Sequence, residues 1–263
     1  MARNSPSSII TYIQCPRLYY HQYIEKRSFY PNLDLIKGEI VHGVLHDFFS
    51  SNPPIIETNF KAWAQTNLMN SFMKRWDSKK SIFFILHLNE AELHEHYKDC
   101  LEMLEFWLSK FIEKIKGTEL NFIEAFRTLK PMTEQQCYIQ DLDIKGYIDI
   151  VEKENGEIRI IDYKTSSKFE ITKEHKIQLA IYAYLYKQAY GITPHKVGIY
   201  FLREDLHLMA VDENMIQFAK EECKKISEKT KSKNVEDYPQ NKGYLCKKLG
   251  ANCPCHRYEE QEE

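Results

Sequence analysis

Two aspartates and a lysine, Asp149, Asp162 and Lys164, stand in a stretch whose spacing can bring them together. Asn155-Gly156 separates two β-branched runs, Ile144 to Val151 and Ile158 to Tyr163. Asn-Gly is the strongest short signal for a two-residue hairpin turn. With Glu154 facing Glu157 across that turn, Val151 faces Ile160, Ile150 faces Ile161 and Asp149 faces Asp162. Directly opposed like charges destabilise a strand pair, with Cβ atoms about 4.5–5.5 Å apart. Side chains alternate along a strand, so Lys164 is expected on the same face as both acids. The trio suits a hard divalent cation, which takes carboxylate oxygens together with water and substrate phosphate.

An ordinary wet hairpin would also carry polar residues. Here Ile148, Ile150 and Ile161 are expected on one face and Val151 and Ile160 on the other, so both faces are apolar beside the acids. Strands apolar on both sides belong to sheets covered on both sides. A carboxylate in such a sheet needs a partner, because an isolated buried charge is costly.

The surrounding elements follow from capping and periodicity. Ser5-Pro6 opens a short helix that Pro16 interrupts, leaving Cys15 at the break before a tyrosine-rich helix from Arg17 to Ile24. Leu33 to Phe49 has helical spacing at Ile36, Ile40, Val44, Leu45 and Phe48, with Gly38, His42 and His46 among them. A long helical pattern over 89–116 reads as an insertion that covers the sheet. After the hairpin comes a helix from Thr172 to Tyr190, ended by Gly191 as helices prefer. Its Gln178 and Tyr182 are one turn apart and share a face. Lys196 to Leu202 and Leu206 to Val211 form a second hairpin, followed by a helix from Glu213 to Lys229.

The 263 residues can bury a substantial core, and no linker divides them, so residues 1–263 are read as one α/β domain. A net charge of −2 excludes a generally basic nucleic-acid-binding surface, and any such contact must be local. Apolar runs such as Ile82 to Leu86 are too short to span a bilayer, and the first residues lack a secretory pattern. A soluble cytoplasmic protein without membrane contact is expected.

Seven cysteines without an export signal do not suggest a disulfide framework. Cys246, Cys253 and Cys255 crowd a Gly- and Pro-containing tail, where thiolates suit an iron-sulfur cluster or zinc. Only three are local, and the fourth ligand is Cys15 or His256. Cys100, Cys137 and Cys223 lie in periodic contexts and are read as small core residues.

Gly146-Tyr-Ile-Asp149, then Asp162-Tyr163-Lys164-Thr165, then Gln178 to Tyr182, preceded by Gly38 to His42, resemble in order the motifs of the RecB-like branch of the PD-(D/E)XK nucleases. Each motif is short, and the order carries the specificity. Ser5 to Ser7, Cys15 to Tyr20 and the cysteine tail further resemble the CRISPR-associated iron-sulfur exonucleases and related phage and archaeal enzymes. One departure is that Cys253 and Cys255 flank only Pro254 and no cysteine follows.

The resemblance implies a restriction-endonuclease-like α/β core, a mixed central sheet flanked by helices. Residues 1–30 and 240–258 would join at a cysteine metal site. It implies magnesium or manganese on Asp149 and Asp162, with His42 and the Tyr163 carbonyl as further ligands. Bound metal lowers the pKa of a water and clamps a phosphate, while Lys164 orients or deprotonates that water. Gln178 and Tyr182 would position the lysine or touch DNA. Cys15, Cys246, Cys253 and Cys255 would hold an iron-sulfur cluster, more readily of the four-iron type, with zinc as the alternative. His46 is read as a core histidine, and Glu134, just before the first strand, is not assigned as a ligand.

The implied activity is hydrolysis of single-stranded DNA or DNA ends by an exonuclease. The implied setting is CRISPR spacer acquisition, antiviral defence, or DNA repair and recombination, with CRISPR adaptation proteins or a helicase as candidate partners. The alternative is a non-cleaving DNA-end-binding or adaptor module with a vestigial metal site. A weaker third is a hydrolase or transferase acting on something other than DNA, which a fold never excludes.

Overall fold

The computed structural model describes residues 4–27, 32–54, 59–154, 156–243, 246 and 253. Asn155, Cys255 and His256 lie outside the described residues. Five strands form a mixed sheet in the order β1-β2-β3-β4-β5: β1 (Met132–Ile139), β2 (Ile144–Glu154), β3 (Glu157–Lys164), β4 (Lys196–Phe201) and β5 (Leu206–Ala210). Only the β3–β4 pair is parallel. That connection requires a crossover. Of the helices, α1 (Pro6–Gln14), α2 (Pro16–Tyr19), α3 (Leu33–Ser50), α4 (Phe60–Asp77), α5 (Lys80–Ile85), α6 (Glu90–Lys116) and α7 (Phe122–Leu129) precede the sheet. The β3–β4 crossover carries α8 (Lys173–Tyr190), and α9 (Glu213–Lys229) follows β5.

Local sequence explains most boundaries. Ser5 and Asn89 close capping boxes at α1 and α6, and Thr172 does so at α8. Gly191, at φ 71°, supplies the left-handed residue that ends α8. The tyrosine-rich segment after Cys15 continues past α2 as a π-type turn, Tyr20–Ile24.

The sheet is apolar on both faces, as the strands require. Val151 and Ile160 join a core with α1, α8 and α9, built around Ile9, Leu179, Leu185 and Ile226. Ile150, Ile161 and Tyr163 join the other core, with Phe48 of α3, Phe72 of α4, Trp107 of α6 and Phe126 of α7. The α6 helix therefore covers the sheet as expected, while α4 has no counterpart in the sequence reading. Strict alternation fails at one point in β2. Ile144, Ile148 and Val151 share the first core, so the side-chain phase shifts by one residue across Asp149.

The hairpin register is the expected one where strands pair: Glu154 with Glu157, Lys153 with Ile158, Val151 with Ile160 and Ile150 with Ile161. Gly156 adopts φ 80° at the turn. The expected Asp149–Asp162 pair does not form, because the β2–β3 ladder ends at Ile150 and Ile161. Beyond it, β4 is the described strand that still pairs with β3, with Asp162 beside Ile199 and Lys164 beside Phe201.

That support depends on a close approach of β4 to β5. A Cβ on Gly198 would lie 2.4 Å from the His207 carbonyl oxygen and 2.8 Å from Leu208 Cδ2. Gly198→Ala should therefore destabilise the protein by about 1–3 kcal/mol, lowering its thermal midpoint by roughly 2–10 °C. A midpoint equal to that of the wild type would contradict this packing.

Candidate active site

The two acids meet where β2 and β3 part, and each finds a different partner. Asp149 Oδ2 accepts the Tyr163 backbone N–H at 3.0 Å and lies 3.3 Å from His42 Nδ1. Asp162 is 3 % exposed, and its Oδ2 lies 2.7 Å from Lys164 Nζ. The lysine's well-directed hydrogen bond goes instead to Gln178 Oε1, at 3.2 Å. Gln178 Nε2 in turn donates to the Tyr182 hydroxyl at 3.3 Å, so the shared face of α8 positions the lysine. Tyr163 turns its N–H toward Asp149, and a strand residue projects N–H and C=O to the same edge. Its carbonyl therefore looks into the gap between β2 and β3, while the Lys164 carbonyl accepts from Leu202.

Charges in this small space are unequal in comfort. Burial opposes the ionised form of Asp149, but the His42 charge and hydrogen bond, the Tyr163 amide and Lys164 outweigh it and hold its pKa below the ordinary value. For His42, burial opposes the cation, yet Asp149 beside it raises the pKa. Asp162 goes the other way. Burial lifts its pKa, Lys164 counteracts in part, and the negative charge of Asp149 adds to the rise. Tyr182, buried beside both acids, has its pKa pushed far up by burial and keeps its proton.

A divalent cation fits this donor set. Asp162 Oδ2 is a buried oxygen with no well-directed hydrogen bond, the kind of acceptor that a cation satisfies. His42, Asp149, Asp162 and the Tyr163 carbonyl are the groups that would hold it. Among the described residues, no three His, Cys, Asp or Glu side chains stand as a ready-made cage. The acids are engaged with His42 and Lys164 instead.

Several supports were not legible in the motifs. Glu134 lies within β1 rather than before it, at φ 51°, and burial together with Asp149 raises its pKa. Gly43, between the two histidines of α3, leaves room for the Arg75 guanidinium, which grips Asp47 at 2.7 and 2.8 Å. His46 Nδ1 is 2.8 Å from Thr133 Oγ1, a link from α3 to β1. Arg203, in the β4–β5 turn, donates to the Thr165 carbonyl directly after Lys164 and pairs with Asp99 of α6, which also binds Lys37 of α3 at 2.7 Å. Only the alternation of charge across distant elements could have signalled that network.

The early and late cysteines approach one another. Cys15, buried at the α1–α2 break, accepts the Asn241 N–H at 3.5 Å. The Cys246 thiol is held above its ordinary pKa by burial and by the neighbouring Cys253 and Cys15 thiols. Thiolates suit iron-sulfur or zinc in kind, but the expected cluster site is not assembled among the described residues, where no three such side chains stand close enough to hold a metal. Cys100 and Cys223 are buried, and burial lifts each thiol to about 12. Cys137 is buried as well, its thiol lifted to about 11.

A profile described as the PD-(D/E)XK nuclease superfamily matches residues 3–258. A crystal structure from Eubacterium rectale, described as a candidate exonuclease, superposes with a TM-score of 0.55 over 98 % of this chain and 88 % of that chain, at 14 % identity. That likeness is one of fold, a mixed sheet flanked by helices. The gene 69 protein of Mycobacterium phage D29 is 37 % identical over 59 residues, which span 22 % of this chain and only 20 % of that protein. No described helix is long and apolar enough to cross a membrane.

If the acids hold a cation, adding magnesium or manganese at about 100 times Kd should stabilise the protein by about 2.7 kcal/mol. Asp149→Asn and Asp162→Asn should abolish that thermal shift. Metal-free Asp162→Asn leaves the Lys164 ammonium without its ion-pair partner, so its thermal midpoint should fall even before metal is added, and the metal shift is read against that variant's own baseline. An undiminished metal response in Asp162→Asn would exclude the assignment.

Proposed function

The chain belongs to the PD-(D/E)XK nuclease superfamily, and from that premise we propose that it is a metal-dependent deoxyribonuclease, an exonuclease acting on single-stranded DNA or DNA ends. One observation carries the reading: the β2–β3 ladder opens at the point where Asp149, Asp162 and Lys164 come together. A binder without hydrolytic chemistry has no use for a buried acid that lacks a proper partner.

Magnesium or manganese bound there would supply Lewis-acid activation of water and neutralise charge on the scissile phosphate. The chain's own groups do the remaining work. Lys164, steered by Gln178 and Tyr182, places an ammonium where negative charge develops on the phosphate and where an attacking water must be oriented. His42 and the Tyr163 amide fix the Asp149 carboxylate, so that its free lone pairs point into the gap. Preference for ends and single strands, and a role in DNA repair and recombination, rest on the family resemblance, and a role in CRISPR spacer acquisition rests on Ser5 to Ser7, Cys15 to Tyr20 and the cysteine tail. The cysteines of residues 1–30 and 240–258 are read as one cluster site, Cys15, Cys246 and Cys253 with Cys255. That reading rests on the sequence pattern: among the described residues no three of these side chains stand close enough to hold a metal, and Cys255 lies outside them.

Lys164→Ala and Asp162→Ala should each lower the initial rate on end-labelled single-stranded DNA by about 10²–10³ or more, with linear substrate degraded and closed circles spared. Equal rates in wild type and variants would refute the catalytic assignment, and equal cutting of circles would refute the exonuclease. Separately, the purified protein should contain iron and absorb broadly in the visible, both lost in Cys15→Ala. A colourless zinc protein would assign zinc instead.

A further inference from the structure

One part of β2 is left open on the side facing the acids. The Lys145 N–H pairs with the Asn4 carbonyl, and pairing with β3 begins only at Ile150. Between those points the Tyr147 N–H turns to the same edge as that of Lys145, with no strand alongside among the described residues. A cleft of ≈ 370 Å³ opens there, lined by Ser5, Pro6, Ser7, Lys145, Tyr147 and Tyr182. Tyr182 of its wall also accepts from Gln178, which in turn holds Lys164, so one hydrogen-bonded chain links the wall of the cleft to the lysine beside the acids.

The outward face of this strand pair has the groups a nucleotide needs. Tyr147 is 47 % exposed, and Tyr138 beside Lys145 on β1 is 38 % exposed. The Lys145 ammonium lies 4.9 Å from the centre of the Tyr147 ring. The Tyr147 hydroxyl donates to Gln136 Oε1 at 3.2 Å, which fixes the ring on the sheet. Tyr147 stands two strand residues, about 6.6 Å, from Asp149. The backbone that carries the ring is therefore close, along the strand, to the backbone that carries the acid.

We propose that this cleft takes the nucleotide flanking the scissile phosphate of a single DNA strand, its base stacked on Tyr147 and its phosphate paired with Lys145. The proposal rests on the nuclease reading and specifies its substrate. A base inside a duplex presents no free face to a ring, whereas an unpaired base stacks on an exposed aromatic whatever its identity. With a net charge of −2 the molecule has no general attraction for a polyanion, so a lysine placed beside the open ring matters locally.

The test uses the full chain in EDTA, where hydrolysis is held off, and a fluorescein-labelled oligothymidylate read by fluorescence anisotropy over a salt series. Tyr147→Ala should bind the single strand about 5- to 100-fold more weakly, while Tyr147→Phe keeps wild-type affinity. Lys145→Gln should reduce the slope of log affinity against log salt by about 0.7, the value of one phosphate contact on a single strand. Both positions are on the surface, and unchanged thermal midpoints would verify the fold. If the wild type hydrolyses DNA but Tyr147→Ala and Lys145→Gln bind as it does, the subsite is wrong and the nuclease stands. Equal loss in Tyr147→Phe and Tyr147→Ala would also overturn it, since the hydroxyl and not the ring face would then be responsible. A wild type that neither binds nor hydrolyses DNA would remove both readings.

Discussion

The site exists because one side chain replaces one backbone group. At Ile150 and Ile161 the β2–β3 ladder stops, and the Tyr163 N–H, which would otherwise lose its acceptor, bonds to the Asp149 carboxylate. A buried amide without a partner costs about 1–3 kcal/mol, so strands part cheaply only where a substitute acceptor is supplied. Asp149 is that substitute, and a carboxylate has lone pairs to spare after accepting one N–H. The opening of the sheet and the presence there of a carboxylate with lone pairs to spare are thus the same event.

The gap is kept open by layers on opposite faces of the sheet. From one side α3 brings His42 against Asp149, while from the other α8 brings Gln178 and Tyr182 against Lys164. Each helix is anchored by a separate core, so the two halves of the site are fixed independently and meet at the strands. The end of β3, which has lost β2, is secured by β4 and by Arg203 on the Thr165 carbonyl. Beneath it the buried Trp107 Nε1–H donates to the Tyr163 hydroxyl at 3.2 Å, fixing the ring whose backbone edges the gap.

What the sequence disclosed and what it hid divide along the range of the interactions. Caps at Ser5, Asn89 and Thr172, the left-handed stop at Gly191 and the hairpin register are set within a few residues, and periodicity placed α3, α6, α8 and α9 and made both faces of the sheet apolar; it missed α4, α5 and α7 and set Ile148 with Ile150 where the structure sets it with Val151. The same local logic pointed to Asp149, Asp162, Lys164, Gln178 and Tyr182. It erred one step further, where continuing the ladder set the two aspartates face to face. Whether a ladder continues depends on which acceptor a backbone amide prefers, and that competition involves His42, more than a hundred residues away in the chain. Glu134 and the network of Lys37, Asp99 and Arg203 were hidden for the same reason. Tyr147 has a meaning only once the end of β3's pairing is known, although its place two residues before Asp149 was in plain view.

Asp162 shows where local and global requirements conflict. It is nearly inaccessible, its pKa is raised by burial, and its nearest cation has a better-directed hydrogen bond to Gln178. A well-packed apolar residue at such a position often equals or exceeds a buried ion pair in stability. The neighbouring β3 side chains Ile160 and Ile161 show that this strand accepts apolar residues on both faces. Retaining an acid there, 2.7 Å from a Lys164 ammonium that it shares with Gln178, leaves a buried oxygen without a well-directed hydrogen bond at the place where the sheet opens. Real proteins break the rules of stability mainly at functional sites, and in this chain the broken rule is the incomplete satisfaction of Asp162.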